Sequence, residues 1–122
     1  MSGAQTETKK RAEIRGRRAE VQASLMLRLK GYRILARGFR TPVGEIDIVA
    51  KKGRTLVAIE VKQRADIAQG LQAISPRQQS RISNALQVYL SKNPAYQSLD
   101  QRFDAVVVVR KWGWPYHLKN AW

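Results

Sequence analysis

Two short alternating runs joined at a glycine constrain this chain more than any other feature. In Glu45 to Lys51, Ile46, Ile48 and Ala50 fall on one face and Glu45, Asp47 and Val49 on the other. In Thr55 to Lys62, Val57, Ile59 and Val61 share a face, with Ala58, Glu60 and Lys62 opposite. Period-two alternation on both sides of Lys52-Gly53-Arg54 predicts a β-hairpin. A two-residue loop at Gly53-Arg54, or a four-residue loop from Lys52 to Thr55, sets Asp47 opposite Glu60, with Cβ atoms about 5 Å apart.

The rest of the chain must cover this hairpin. Residues 1–10 are polar and aperiodic and are expected to form a flexible basic tail, leaving 11–122 as one domain. From Arg11 to Lys30 the spacing is helical, with Ile14, Val21, Leu25 and Leu29 as the expected buried stripe and Gly31 as the stop. Tyr32 to Arg40 reads as a first strand, and Thr41-Pro42-Val43-Gly44 is turn chemistry. Arg64 to Ile74 is expected to be a loop. Ser75-Pro76-Arg77-Gln78 then starts a helix, with Ser as N-cap, Pro at the first helical position and Gln completing a capping box. Asn93-Pro94 stops it. Arg102 to Arg110 is apolar on both faces, as a central strand requires, and Tyr116 to Lys119 is a short last strand. The order is α-β-β-β-α-β-β. Its strand–helix–strand step implies a right-handed parallel crossover, hence an α/β fold with a mixed sheet flanked by helices.

Charge bears on partners. Lys and Arg number 23 against 9 Asp and Glu, a formal net charge of +14. That surplus points to a polyanion, nucleic acid ahead of an anionic membrane. With no Cys and a single His, the sequence holds no disulfide, thiolate zinc site or His-rich metal site. The longest apolar run, Ala105 to Val109, is too short to span a bilayer, and the N-terminus lacks an apolar signal region. A soluble, cytoplasmic protein is expected. No Walker-type or Gly-x-Gly-x-x-Gly loop is present, which argues against a nucleotide cofactor.

Asp47 and Glu60 on neighbouring strands repel unless a positive group lies between them. A hard cation, Mg²⁺ or Mn²⁺, suits two carboxylates, with the Val61 carbonyl as a further ligand. Such a cation acidifies bound water, which Lys62 would position or deprotonate, and phosphodiester hydrolysis is the chemistry that follows. The competing reading is an exposed sheet face on which Asp47 pairs with Lys62. Arg17, Arg18, Arg40, Lys51, Arg64, Arg77 and Arg81 are the cations expected to hold phosphates. Glu45 reads as a rim residue, and Gln78 and Gln79 as capping and surface residues, with the orienting of substrate by one of them as the alternative. Asp104 reads as a structural partner for Arg102 or for a helix N-terminus rather than as a metal ligand. His117 reads as structural, with nothing nearby to complete a site. Trp112, Trp114 and Trp122 would either stack on bases or close the core or a dimer contact.

Gly44-Glu45-Ile46-Asp47, Glu60-Val61-Lys62-Gln63-Arg64, Arg102-Phe103-Asp104 and Asn120-Ala121 together resemble the YraN-like family of small bacterial proteins, from about Arg11 to Trp122. That family is similar to the archaeal Holliday junction resolvases and, through them, to the PD-(D/E)XK nuclease superfamily, whose restriction-endonuclease-like core is αβββαβ. The resemblance implies Asp47 and Glu60 as metal ligands, Lys62 as the catalytic lysine, and Glu20 pointing into the site from the first helix. Gln78 stands at a helix position that is often Lys in the group. The expectation is a Mg²⁺- or Mn²⁺-dependent endonuclease acting on DNA rather than RNA, branched DNA included. The alternatives are a non-catalytic, basic nucleic-acid-binding protein with a degenerate nuclease fold, and a basic scaffold of a ribonucleoprotein particle. Symmetric cleavage of a four-way junction needs two sites, which a homodimer would provide.

Overall fold

Both alternating runs are strands of one hairpin. In the computed structural model, which describes residues 3–111 and 113–122 (side chains from residue 16 onward), α1 (Gly3–Leu29) leads into β1 (Arg33–Thr41), β2 (Gly44–Lys52) and β3 (Thr55–Gln63). Then come α2 (Ile67–Gln72), α3 (Pro76–Lys92), a 3₁₀ turn (Pro94–Tyr96), β4 (Asp100–Val108) and β5 (Tyr116–Leu118). The strands form one sheet in the order β1-β2-β3-β4-β5. Only the β3–β4 pair, bridged by α2 and α3, is parallel. This is the mixed α/β sheet that the element order implies.

The hairpin register is the expected one as far as Ile48–Ile59; the Asp47–Glu60 pair that should follow is not part of the ladder. Ile48 pairs with Ile59, Ala50 with Val57 and Lys52 with Thr55, around a loop whose Gly53 takes a φ of 59°. A glycine at the first central position of a two-residue turn matches the right-handed twist of the strands. Each sheet face has its own apolar cluster. Ala23, Met26 and Leu27 of α1 cover Ile48, Ala50, Val57, Ile59 and Val106. On the other face, Ile82, Ala85, Leu86 and Leu90 of α3 cover Ile46, Val49, Leu56 and Ala58.

Four local features depart from the sequence reading. First, α1 starts at Gly3, so residues 3–10 are helical; periodicity is blind to a helical segment that has no apolar stripe. Second, the face of α1 that meets the sheet is Ala19, Ala23, Met26 and Leu27, while Leu25 and Leu29 are 50% and 76% exposed. Alanines let the helix sit close to the sheet, and a count of large side chains overlooks them. Third, Ile46 belongs to the α3 cluster although Ile48 and Ala50 belong to the α1 cluster. The alternation breaks at Asp47, between the pairs Phe39–Ile46 and Arg37–Ile48, where Gly38 of β1 takes a φ of 63° that kinks the edge. Fourth, the expected loop after β3 contains α2, capped by the Asp66 carboxylate, which accepts from the Gln69 N–H at 2.8 Å.

A polar knot joins distant parts of the chain on the α1 face. Asp104 of β4 is fully buried and accepts from Arg102 Nε (2.8 Å) and Nη2 (2.9 Å) and from the Asn120 N–H (2.9 Å). His117 Nε2 lies 2.7 Å from Asp104 Oδ2, and His117 Nδ1 lies 2.6 Å from Lys30 Nζ. An ammonium only donates, so Nδ1 accepts and Nε2–H donates to the carboxylate. Arg102 also donates to the Tyr32 hydroxyl at 2.7 Å. Asp104 is thus the partner of Arg102, as expected, whereas His117 is far from isolated. Asn120 adopts the left-handed conformation (φ 53°) that presents its N–H to Asp104. Burial pushes the Asp104 carboxyl up, but the hydrogen bonds from His117, Arg102 and Asn120 outweigh it and hold it at about 2.

Candidate functional site

The ladder between β2 and β3 runs from the turn as far as Ile48–Ile59. In this register the next hydrogen-bonded pair would be Ile46 with Val61. Instead the Val61 N–H donates to Asp47 Oδ2 at 2.8 Å. A side chain has taken the place of a backbone carbonyl at the point where β2 changes faces. In an extended strand the N–H and C=O of a residue point to the same side, so the Val61 carbonyl also faces the Asp47 side.

Glu60 is 9% exposed, within hydrogen-bonding reach of Asp47. Burial, that hydrogen bond and the Asp47 charge push its carboxyl up to about 9, against the opposing pull of Lys62. Glu45, Asp47, Glu60, Gln78, Arg81 and Ile82 line a cleft of about 110 Å³ between the β2–β3 edge and the start of α3.

Close packing brings α3 here. A Cβ built at Gly44 would overlap the Arg81 carbonyl oxygen and lie 2.6 Å from the carbonyl carbon. The glycine ahead of Glu45-Ile46-Asp47 therefore lets the α3 backbone lie directly on β2. Ser75 accepts from the Gln78 N–H at 3.1 Å, as an N-cap should. The reciprocal half of the expected capping box is not made: Gln78 turns into the cleft, and its buried Oε1 has no hydrogen-bond partner. Gln79 Nε2 instead donates to the Ile74 carbonyl at 3.2 Å.

The remaining candidates divide by position. Glu20 approaches Asp47 from α1. Burial and the Asp47 charge raise its carboxyl, while Arg37, Arg40 and Arg17 pull the other way. It does not line the cleft, and among the described residues no group of three acidic, His or Cys side chains converges on one point. Lys62 is half-buried two residues beyond Glu60, on the same face of β3. Arg81 lines the cleft, and Arg77 is exposed one turn earlier on α3. Arg40 is exposed and lies 3.9 Å from Glu45. Arg64 is exposed just past the end of β3, and Arg17 and Arg18 lie on α1 one turn before Val21. Lys51 stands apart: it pairs with Leu56 at the turn end of the hairpin, four residues along β2 from Asp47. Trp122 stacks on Phe103 with ring centroids 5.7 Å apart, Trp114 is 69% exposed, and Trp112 lies outside the described residues.

A hard divalent cation fits the residues of the cleft. Asp47 and Glu60 supply carboxylate oxygens, Val61 a carbonyl, and the cleft-lining Gln78 a buried side-chain oxygen that has no hydrogen-bond partner among the described residues. All are donors of the kind Mg²⁺ and Mn²⁺ prefer.

Residues 19–108 match the model of a family described as "Uncharacterised protein family UPF0102". The chain belongs to the UPF0102 family. It is similar to a UPF0102 protein of Parvibaculum lavamentivorans, at 48% identity over 107 residues covering 88% of this chain and 80% of the relative. UPF0102 proteins of Chelativorans sp. (42% identity, 94% and 92% covered) and Maricaulis maris (44% identity, 96% and 91% covered) match over nearly their full lengths. This is the YraN-like family that the sequence motifs resemble. Glu20, Asp47, Glu60, Lys62, Gln78 and Arg81 all lie inside the segment that defines UPF0102, whereas Trp114, His117 and Asn120 lie beyond it. Among the described residues no helix is long and apolar enough to cross a membrane.

Of the residues lining the cleft, Asp47, Glu60 and Arg81 are among the sequence candidates, Gln78 reads in sequence as either a cap or a substrate-orienting residue, and Glu45 reads as rim. The available signal for these last two was Gly44, whose close approach to α3 brings both beside the acid pair.

Proposed function

We propose that this protein is a Mg²⁺- or Mn²⁺-dependent nuclease that hydrolyses phosphodiester bonds in DNA, including branched DNA, on a restriction-endonuclease-like core. The observation that carries the reading is the break in the β2–β3 ladder, which puts Asp47, Glu60 and the Val61 backbone around one gap with Lys62 beside it. When bound there, the divalent cation supplies Lewis acidity toward a phosphoryl oxygen. The chain's own residues do the rest. Asp47 and Glu60 hold the cation and Gln78 adds a neutral oxygen. Lys62 orients the attacking water and offsets charge that develops on the phosphate. Arg81 and Arg77 hold neighbouring phosphates at the start of α3. The +14 surplus attracts the polyanion from a distance. Glu20 acts from α1 as a positioning residue for Asp47.

The test is incubation of the pure protein with branched and linear DNA in Mg²⁺, beside Asp47→Ala. Cleavage by the wild type and its loss in Asp47→Ala is the expected result. Cleavage that survives the substitution, or DNA binding without any cleavage and without Mn²⁺ uptake by calorimetry, refutes the nuclease and leaves a basic binding protein. Such a binder would still lose log affinity by roughly 0.9 per neutralised phosphate for each log unit of salt.

A further inference from the structure

Six of the seven large apolar residues exposed on the described surface surround one segment. Leu25, Leu29, Ile67, Val109, Trp114 and Tyr116 lie on the two sides of the chain that runs from Gly113 into β5. The larger cleft, about 320 Å³, has Val107 in its lining and is walled by Ile67, Val109, Trp114 and Tyr116, with Arg110 at the same opening. A volume of that size suits a small planar ligand.

The sheet register fixes where this cleft stands relative to the acid pair. Lys62 pairs with Val107 of β4, and Val107 pairs with Tyr116 of β5, so all three share one row and one face of the sheet. Two strand spacings separate Lys62 from Tyr116, about 10 Å. The fully buried Val107 stands between them with Gly70 of α2 packed on it, so a strand that reaches both sites passes around α2.

Charge selects the occupant. Arg110 lines the cleft, Lys111 follows it and is exposed, and Arg64, also exposed, donates its backbone N–H to the Val108 carbonyl next to the lining residues Val107 and Val109. The nearest acid in sequence, Asp66, is engaged in capping α2. A second copy of a +14 chain would bring these cations against their own kind. A nucleic acid brings phosphates to the cations and flat bases to the exposed indole and phenol, the pairing on which single-strand binding relies.

Resting on the nuclease reading above, we infer that the Trp114–Tyr116 cleft binds an unpaired nucleobase of the strand whose phosphate is held at Asp47 and Glu60. The substrate class is thereby narrowed to DNA with an unpaired stretch beside the scissile bond, as at a branch point, flap or gap. Fully paired DNA would engage the arginines without filling the cleft.

The test measures fluorescence anisotropy of labelled oligothymidine and of a blunt duplex of equal length, in EDTA, for wild type, Trp114→Ala, Trp114→Phe and Asp47→Ala. Trp114 is largely exposed, so its removal leaves the fold in place. Trp114→Ala is expected to weaken oligothymidine binding about tenfold, within the range for one lost base–aromatic stack, and to leave duplex binding unchanged. Trp114→Phe recovers part of the loss. Equal oligothymidine binding by wild type and Trp114→Ala overturns the inference while leaving the nuclease reading intact. So does a wild-type dimer in sedimentation that Trp114→Ala dissociates without change in DNA affinity, which assigns the patch to a second copy. Failure of the wild type to bind either DNA overturns both readings.

Discussion

Asp104→Asn probes the polar knot under β4, and its effect follows from the hydrogen-bond geometry. The wild-type carboxylate is buried and accepts from four directions: Arg102 Nε, Arg102 Nη2, the Asn120 N–H and His117 Nε2. An asparagine of the same shape can accept through one oxygen only. Its NH₂ must face donors, and the Arg102 guanidinium loses its counter-charge. Breaking one side of a buried ion pair costs about 3–5 kcal/mol. With a urea slope of roughly 2 kcal/mol/M for a domain of this size, the unfolding midpoint should fall by about 2 M. Far-UV circular dichroism across a urea series measures it, with the exposed Asp100→Asn as a control expected to change stability by under about 0.5 kcal/mol. The pH dependence supplies a second, independent reading. The Asp104 carboxyl sits at about 2 in the folded protein and at 3.8 in the unfolded chain. Its depressed value stabilises the fold fully above pH 4, and that contribution disappears as the pH falls toward 2, by about 2 kcal/mol. The stability gap between wild type and Asp104→Asn should therefore narrow over that interval. A total loss below about 1 kcal/mol, or a gap that does not change between pH 4 and 2, would refute the account of the knot.

Further outcomes follow from the same structure. Gly44→Ala should cost about 1–3 kcal/mol or more in thermal or urea unfolding, since the added carbon meets the Arg81 backbone and no side-chain rotation relieves it. Tyr32→Phe should cost about 1 kcal/mol by the same measurement, through loss of the hydroxyl that accepts from Arg102. Glu60→Gln should gain on the wild type as the pH rises from 5 to 8 in metal-free urea titrations. The folded wild type keeps a proton on Glu60 that the unfolded chain releases, so wild-type stability declines relative to the variant throughout that range. On the nuclease reading, the same variant should lose Mn²⁺ binding by calorimetry.

Much of the fold is legible because its signals are local. The alternation around Gly53 fixes both the strands and their register, and Ser75-Pro76 marks the start of α3 to the residue. The acid pair is legible less directly: the register extended from the turn sets Asp47 opposite Glu60, whereas the ladder stops at Ile48–Ile59 and the two meet at its break. What escapes depends on distant partners. His117 looks isolated in sequence because Asp104 is 13 positions away and Lys30 is 87. The face change at Asp47 falls opposite Gly38, a positive-φ residue on another strand, and no local alternation announces it. Leu25 and Leu29 carry the helical spacing of a buried stripe, yet the sheet takes the neighbouring face because Ala19 and Ala23 allow closer contact. Short α2 has no apolar period to find; its sign is the Asp66 cap, together with Gly70, where a Cβ would press into the Val107 side chain.

The knot also governs when this chain can finish folding during its synthesis. The Asp104 carboxylate lies in a central strand, but two of its donors come from residues 117 and 120. Until those have left the ribosomal exit tunnel, closing the sheet would strand part of an anion in an apolar interior. The sheet can therefore seal over β4 only once residues 117 and 120 are free to join it.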